Sequence, residues 1–90
     1  MKNLNDFRKE IDRIDLDICK LISKRFKITH QVGLYKLKNN LQLEDEKREM
    51  EMMEKFAKEA TLLNIDPILI QKIFRLIINK TKENYKKYGI

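Results

Sequence analysis

The sequence has very few of the residues that break helices or cross-link a chain: two glycines, one proline and one cysteine among 90 residues. So few breakers argue against a sheet of short strands joined by turns and favour helices. Cys19 has no second cysteine to pair with, and no Cys/His cluster has the spacing of a zinc site. We therefore expect a helical protein without a metal, with Cys19 in a reducing compartment.

Long apolar runs are also absent. No stretch approaches the roughly 18 residues of a membrane span, and the first residues lack the apolar run of a signal peptide, so we expect a cytoplasmic protein without a membrane partner. The net charge of +6 suits an anionic partner. Because the basic residues are spread along the chain and interleaved with 14 acids, nucleic acid is disfavoured as that partner.

Apolar residues spaced alternately three and four apart predict a long first helix. They run from Leu4 to Tyr35, with Arg25 as the one charged member of this seam. A helix from about Asn5 to Asn39 would be roughly 50 Å long, whereas a compact domain of this size is roughly 30 Å across. Such a helix overhangs its own domain and needs a second chain along it.

Two shorter helices are predicted after a break at residues 39–44. Asp45 is a good N-cap for a second helix that extends to about Ala60. Asp66 followed by Pro67 is a typical start for a third helix, which reaches about Tyr85. The predicted fold class is therefore all-α, a three-helix chain with one long N-terminal helix, and residues 1–90 form a single domain.

Arg25 is out of place in the seam, because it stands where an apolar side chain is expected. An unpaired buried guanidinium costs several kcal/mol, so an anion should meet it. The residues alone allow an internal salt bridge, an opening of the seam to solvent, or a pocket for a carboxylate or phosphate. Lys36, eleven residues further on, returns to almost the same helix face and can line the same groove.

Other polar positions are ambiguous when each is taken alone. Asp45, Arg48 and Glu49 share a face of the second helix, and such a trio is more often a solvated surface network than a site. Thr81 and Tyr85 continue the apolar face of the third helix, where a hydroxyl can bind a ligand or be satisfied within the core. None of these features is decisive by itself.

Together, these positions resemble the motif set of the all-helical, type II chorismate mutases. The segments that carry the resemblance lie in order along residues 4–85: FRKEIDRID at 7–15, LISKR at 21–25, VGLYK at 32–36, DEKRE at 45–49 and IFRLII at 73–78. They are similar to the family patterns LRxxIDxID, LLxxR, VxxxK and DxxRE, and to the core of its third helix.

The resemblance implies an intertwined homodimeric helical bundle that rearranges chorismate to prephenate in phenylalanine and tyrosine biosynthesis, without cofactor or metal. Each of two equivalent sites would use residues of both chains. The implied catalytic residues are Arg25, Lys36, Glu49 and Tyr85, and the implied substrate-binding residues are Arg8, Asp45, Arg48 and Thr81.

The resemblance also implies roles for the cations. Arg8 would reach into the partner chain's pocket, Arg25 would bind a substrate carboxylate, and Lys36 would contact the ether oxygen and a carboxylate. A unimolecular pericyclic reaction needs no nucleophile or general base. It needs the reactive conformer to be held and cations to be placed where negative charge grows.

For the remaining residues, the resemblance implies that Arg48 and Glu49 hold the substrate, with Glu49 contacting the hydroxyl of the substrate. Asp45 would belong to the same wall of the substrate pocket. Thr81 stands where the family usually has a serine. Tyr85 stands where relatives usually place a glutamine or a protonated glutamate that donates to the ether oxygen. A phenol can donate a hydrogen bond too, although it is longer and differently aimed.

Two alternative functions remain open from the sequence. An isochorismate-pyruvate lyase uses the same scaffold with a very similar set of cations, and product analysis separates it from a mutase. A non-catalytic helical binding module, including a relative that has lost activity through Tyr85, would not turn over chorismate. If it bound nucleic acid, that binding would be sensitive to salt.

Overall fold

The chain folds into three α-helices and contains no strands. A computed structural model describes residues 1–90. Helix α1 spans Leu4–Lys38, α2 spans Glu46–Leu62 and α3 spans Pro67–Lys87. The predicted all-α chain with one long first helix is confirmed, and each predicted end lies within two residues of the observed one. None of the three helices has the length and hydropathy needed to cross a membrane.

Side-chain caps fix where each helix begins. Asn3 and Asp6 form a reciprocal capping box at the start of α1. At the start of α2, Asp45 Oδ1 accepts a hydrogen bond from the backbone N–H of Arg48 at 2.9 Å, and Asp66 caps α3 ahead of Pro67. Such caps stabilise a helix by about 1 kcal/mol each. The caps of α2 and α3 explain why the starts of these two helices were predictable from the sequence.

Helix α3 packs against both other helices, whereas α1 and α2 do not pack against each other. Phe56 of α2 stacks on Phe74 of α3 with ring centroids 3.9 Å apart. On α1, the guanidinium of Arg25 lies 6.0 Å from the centre of the Phe74 ring. These three side chains, which we call the aromatic column, therefore connect all three helices.

Gly33 of α1 lies close against α3. The ring of Tyr85 lies against it, and a Cβ at position 33 would be 2.5 Å from Tyr85 Cε1. The Tyr85 hydroxyl donates a hydrogen bond to the backbone carbonyl of Thr29 at 2.8 Å. The absence of a side chain at Gly33 thus allows the tyrosine ring to lie against α1 and its hydroxyl to reach the helix backbone.

One chain alone buries little of its apolar surface. Only five residues are buried, namely Gly33, Ala60, Ile78, Thr81 and Tyr85. The radius of gyration is 16.6 Å, compared with about 12 Å for a compact domain of this length. The predicted seam of α1 is uncovered along most of its length, with Ile14 56% and Leu21 65% exposed.

The contact at Gly33 gives a stability prediction. Gly33→Ala should destabilise the fold by about 1–3 kcal/mol, the usual cost of overpacking, although alanine is the better helix former by about 1 kcal/mol. Urea unfolding followed by circular dichroism, at a fixed protein concentration, measures this change.

Two further variants test the cause of that loss. Lys20→Ala, at an exposed position of α1, should be neutral or slightly stabilising. In a Tyr85→Leu background, Gly33→Ala should cost less, because the ring that the new methyl group meets is gone. An equal cost in both backgrounds would contradict the proposed clash.

Candidate active site

Arg25 is half-buried, and it lies between α1 and the inner face of α3. Its Nη1 atom is buried and has no hydrogen-bond partner, and no carboxylate of the chain forms a salt bridge with it. Burial lowers the pKa of the guanidinium, and the neighbouring Tyr85 offsets part of that shift. A buried charged donor without a partner is well suited to bind an anion.

Lys36 lies near the C-terminal end of α1, in a groove formed with the connection to α2. Its Nζ donates a hydrogen bond to the backbone carbonyl of Leu43 at 3.2 Å. Asp45 lines the same groove. Lys36 and Asp45 therefore lie in one groove, where the lysine has a neutral acceptor that a charged ligand can displace.

Asp45 and Arg48 differ in how far they are free to bind a ligand. One oxygen of Asp45 is occupied by the cap of α2, where it accepts from the backbone of Arg48. The Arg48 side chain is exposed and forms no ion pair within the chain. Arg48 is thus an available cation at the positive end of the α2 dipole.

Glu49 is held by two cations of α3. Its Oε1 atom accepts a hydrogen bond from Arg75 Nη1 at 2.8 Å and lies 3.1 Å from Lys82 Nζ, and its side chain is only 14% exposed. Burial acts to raise the pKa of this carboxyl, but hydrogen bonds from Lys82 and Arg75 and their charges outweigh it, so the pKa lies below its ordinary value. Glu49 is therefore an ionised acceptor at neutral pH.

Thr81 and Tyr85 lie buried on the face of α3 that meets α1. The Thr81 hydroxyl donates to the carbonyl of Ile77 at 3.1 Å. Burial raises the pKa of Tyr85, although the charge of Arg25 partly opposes the shift, so the phenol keeps its proton at neutral pH. That proton is directed at the carbonyl of Thr29, rather than at open space in the groove.

Arg8 lies far from Arg25 on the same helix. It is exposed near the start of α1, seventeen residues before Arg25, which places it about 26 Å away along the helix axis. An arginine side chain cannot span that distance. Within one chain, Arg8 therefore cannot share a site with Arg25.

Arg75 and Lys82 contact the predicted site residue Glu49 but were not themselves predicted from the sequence. They are seven residues apart and therefore share a face of α3. The seven-residue spacing is visible in the sequence, but two cations on an exposed surface can have the same spacing. The spacing alone therefore does not indicate a site. Only the packing of α3 on α2 shows that this face meets Glu49.

Comparison with known proteins assigns the chain to a protein family. The model of the chorismate mutase type II family matches residues 7–86. The chorismate mutase of Methanocaldococcus jannaschii is 31% identical over 88 residues, which cover 98% of this chain and 89% of that protein.

Two longer relatives match over nearly the whole of this chain. The bifunctional chorismate mutase/prephenate dehydratase of Buchnera aphidicola subsp. Schizaphis graminum is 34% identical over 85 residues, which cover 94% of this chain. The T-protein of Haemophilus influenzae is 30% identical over 89 residues, which cover 99% of this chain. The chain spans 22% and 24% of the length of these two curated relatives.

The clamped Glu49 carboxylate gives a pH prediction. Because its pKa is lower in the folded state, its contribution to stability is present above the unfolded pKa of about 4.3 and is lost as the pH falls through the folded value. The difference in unfolding free energy between the wild type and Glu49→Gln should therefore be constant from neutral pH to about pH 5 and shrink below about pH 4.

Urea titrations at several pH values, from neutral pH to below about pH 4, measure that difference in unfolding free energy. Glu83→Gln is the matched control, because Glu83 is exposed and pairs only with Lys80 of its own helix, so its effect should be small throughout. A difference for Glu49→Gln that grew in acid would contradict the assignment of a lowered pKa.

Proposed function

The chain belongs to the chorismate mutase type II family, and from that premise we propose that residues 1–90 form one mutase domain that rearranges chorismate to prephenate for phenylalanine and tyrosine synthesis. The observation that carries the proposal is the buried, unpartnered Nη1 of Arg25. A substrate carboxylate would satisfy this donor by a bidentate contact. Family membership supports isomerase activity, and the sequence resemblance to this family is confirmed.

In the rearrangement, the ether C–O bond breaks as a new C–C bond forms within the same molecule. No proton or electron passes to the protein, so the site has to hold the compact conformer of the substrate and stabilise the negative charge that develops on the ether oxygen. We assign the first task chiefly to Arg25 and the second to Lys36. Lys36 would leave the Leu43 carbonyl for the substrate.

The residues of α2 would hold the other side of the substrate. Glu49 stays ionised and can accept a hydrogen bond from the ring hydroxyl, while Arg48 offers a free cation. Asp45 and Thr81 would form the wall around them. In this arrangement the cations match a substrate with two carboxylates, and the one buried carboxylate matches its hydroxyl.

The sequence resemblance gives Tyr85 the position of the donor to the ether oxygen. Since its proton is bonded to the Thr29 carbonyl, donation to the substrate would require the hydroxyl to give up that bond. We propose that Lys36 supplies most of the stabilisation at the ether oxygen. Tyr85 would then chiefly fix α1 against α3 beside Arg25.

We also propose that the protein is an intertwined homodimer. The exposed seam of α1 is an apolar stripe far longer than α3 covers, and a groove beside it is lined by Ile22, Phe26 and Tyr88. A second copy with the same seam would bury these surfaces symmetrically. It would also bring its Arg8 into a site that the Arg8 of the same chain cannot reach.

Incubation with chorismate tests the function directly. We expect prephenate, detected as phenylpyruvate after acid treatment. Arg25→Ala and Lys36→Ala should each lower kcat/KM by about 10²–10³-fold, as expected on losing a group that stabilises developing charge or holds the reactive conformer. Lys58→Ala, at an exposed position of α2, should leave it unchanged.

Isochorismate is tested as a second substrate, and two other outcomes would contradict the proposal. Release of pyruvate from isochorismate, with chorismate untouched, would indicate the lyase. If neither compound were turned over and the protein bound a polyanion in a salt-sensitive manner, the chain would be a binding module.

Subunit mixing tests the shared site. We expect Arg8→Ala and Arg25→Ala homodimers to be inactive, whereas chains unfolded together and refolded should regain about a quarter of the wild-type rate. Half of the dimers would then be mixed, and each mixed dimer would have one intact site. Sedimentation checks whether the refolded chains are dimeric, and no recovery of activity in refolded dimers would contradict a shared site.

A further inference from the structure

We propose that Arg75 and Lys82 are positioning residues of the active site, which grip Oε1 of Glu49 and leave its Oε2 to accept the hydrogen bond from the substrate hydroxyl. This inference rests on the proposed function. It assigns a role to two cations of α3 to which the resemblance gives none, although Arg75 lies within the segment at 73–78.

The geometry of the two contacts supports this role. Arg75 Nη1 lies 2.8 Å and Lys82 Nζ lies 3.1 Å from the same oxygen, and no side chain donates to Oε2. With one oxygen held from two directions, the plane of the carboxylate is fixed. An acceptor that is fixed before the substrate binds loses less conformational entropy on binding.

The burial of the three side chains distinguishes this group from a surface ion pair. The Glu49 side chain is 14% exposed, and those of Arg75 and Lys82 are 42% and 33% exposed. By contrast, Lys80 and Glu83 on the same helix are more than half exposed. Partial burial makes the attraction to Glu49 stronger than that of an exposed pair.

The charges around Glu49 come mainly from α3. Arg75 and Lys82 face it from that helix, while α1 does not pack against α2. At the start of α2, Asp45 Oδ1 accepts a hydrogen bond from the backbone N–H of Arg48, and Glu46 is exposed. Two cations and one carboxylate leave an excess of one positive charge, which suits an anionic substrate.

A titration by nuclear magnetic resonance tests the grip without requiring turnover. Carboxyl carbons are labelled in glutamate, and the Glu49 signal is assigned by its loss in Glu49→Gln. In Arg75→Met/Lys82→Met, the pKa of Glu49 should rise above that of the wild type, since burial remains and both cations are gone. In the control Lys80→Met, it should be unchanged. An unchanged pKa in the double variant would overturn the proposal.

Kinetics then tests whether the grip serves the site. Lys82→Met should lower kcat/KM by about 10–100-fold, and the acidic limb of its pH profile should move to higher pH, whereas Lys82→Arg should largely restore both. Lys80→Met should match the wild type. A Lys82→Met enzyme with wild-type kcat/KM and pH profile would overturn the proposal.

A substrate analogue separates positioning from simple loss of folding. Inhibition by a chorismate analogue without the ring hydroxyl should be weakened much less by Lys82→Met than the binding of chorismate is. Equal weakening of both would show a general structural effect and overturn the proposal. If the wild type does not turn over chorismate, the proposed function fails, and the titration still decides whether the cations control Glu49.

Discussion

The aromatic column of Phe56, Phe74 and Arg25 is the contact on which the rest of the structure depends, because α1 and α2 do not pack against each other. Helix α3 therefore sets the position of Arg25 on one side and of Glu49 on the other. The column also places a guanidinium at the edge of the core, where the Phe74 ring only partly compensates for lost hydration. A bound carboxylate would supply the missing partner.

The length of α1 links assembly to function. A helix of 35 residues extends beyond the two shorter helices that could cover it, so its seam remains exposed in a single chain. A small chain gains stability by sharing such a surface with a second copy. The same length separates Arg8 from Arg25 by several turns, so a site that needs both must draw them from different chains.

The helices were predictable from the sequence because their signals are local. Caps such as Asp45 and the spacing of the seam depend only on neighbouring residues, and the misplaced Arg25 was visible for the same reason. The hold of Arg75 and Lys82 on Glu49 was not predictable, because it depends on the rotation of α3 against α2. Nor could any sequence pattern show that Tyr85 donates to a main-chain carbonyl of α1.

The direction of the Tyr85 proton is compatible with catalysis when the sizes of the effects are compared. A hydrogen bond between neutral groups contributes about 0.5–1.5 kcal/mol, whereas one to a charged group contributes about 1.5–3 kcal/mol. Because negative charge develops on the ether oxygen, losing the Tyr85 donor there would cost about 1.5–3 kcal/mol, or roughly 10–100-fold in rate. A lysine that meets developing charge in a partly buried groove contributes more. If Lys36 bears that charge, Tyr85 can serve the fold and the rearrangement still proceeds.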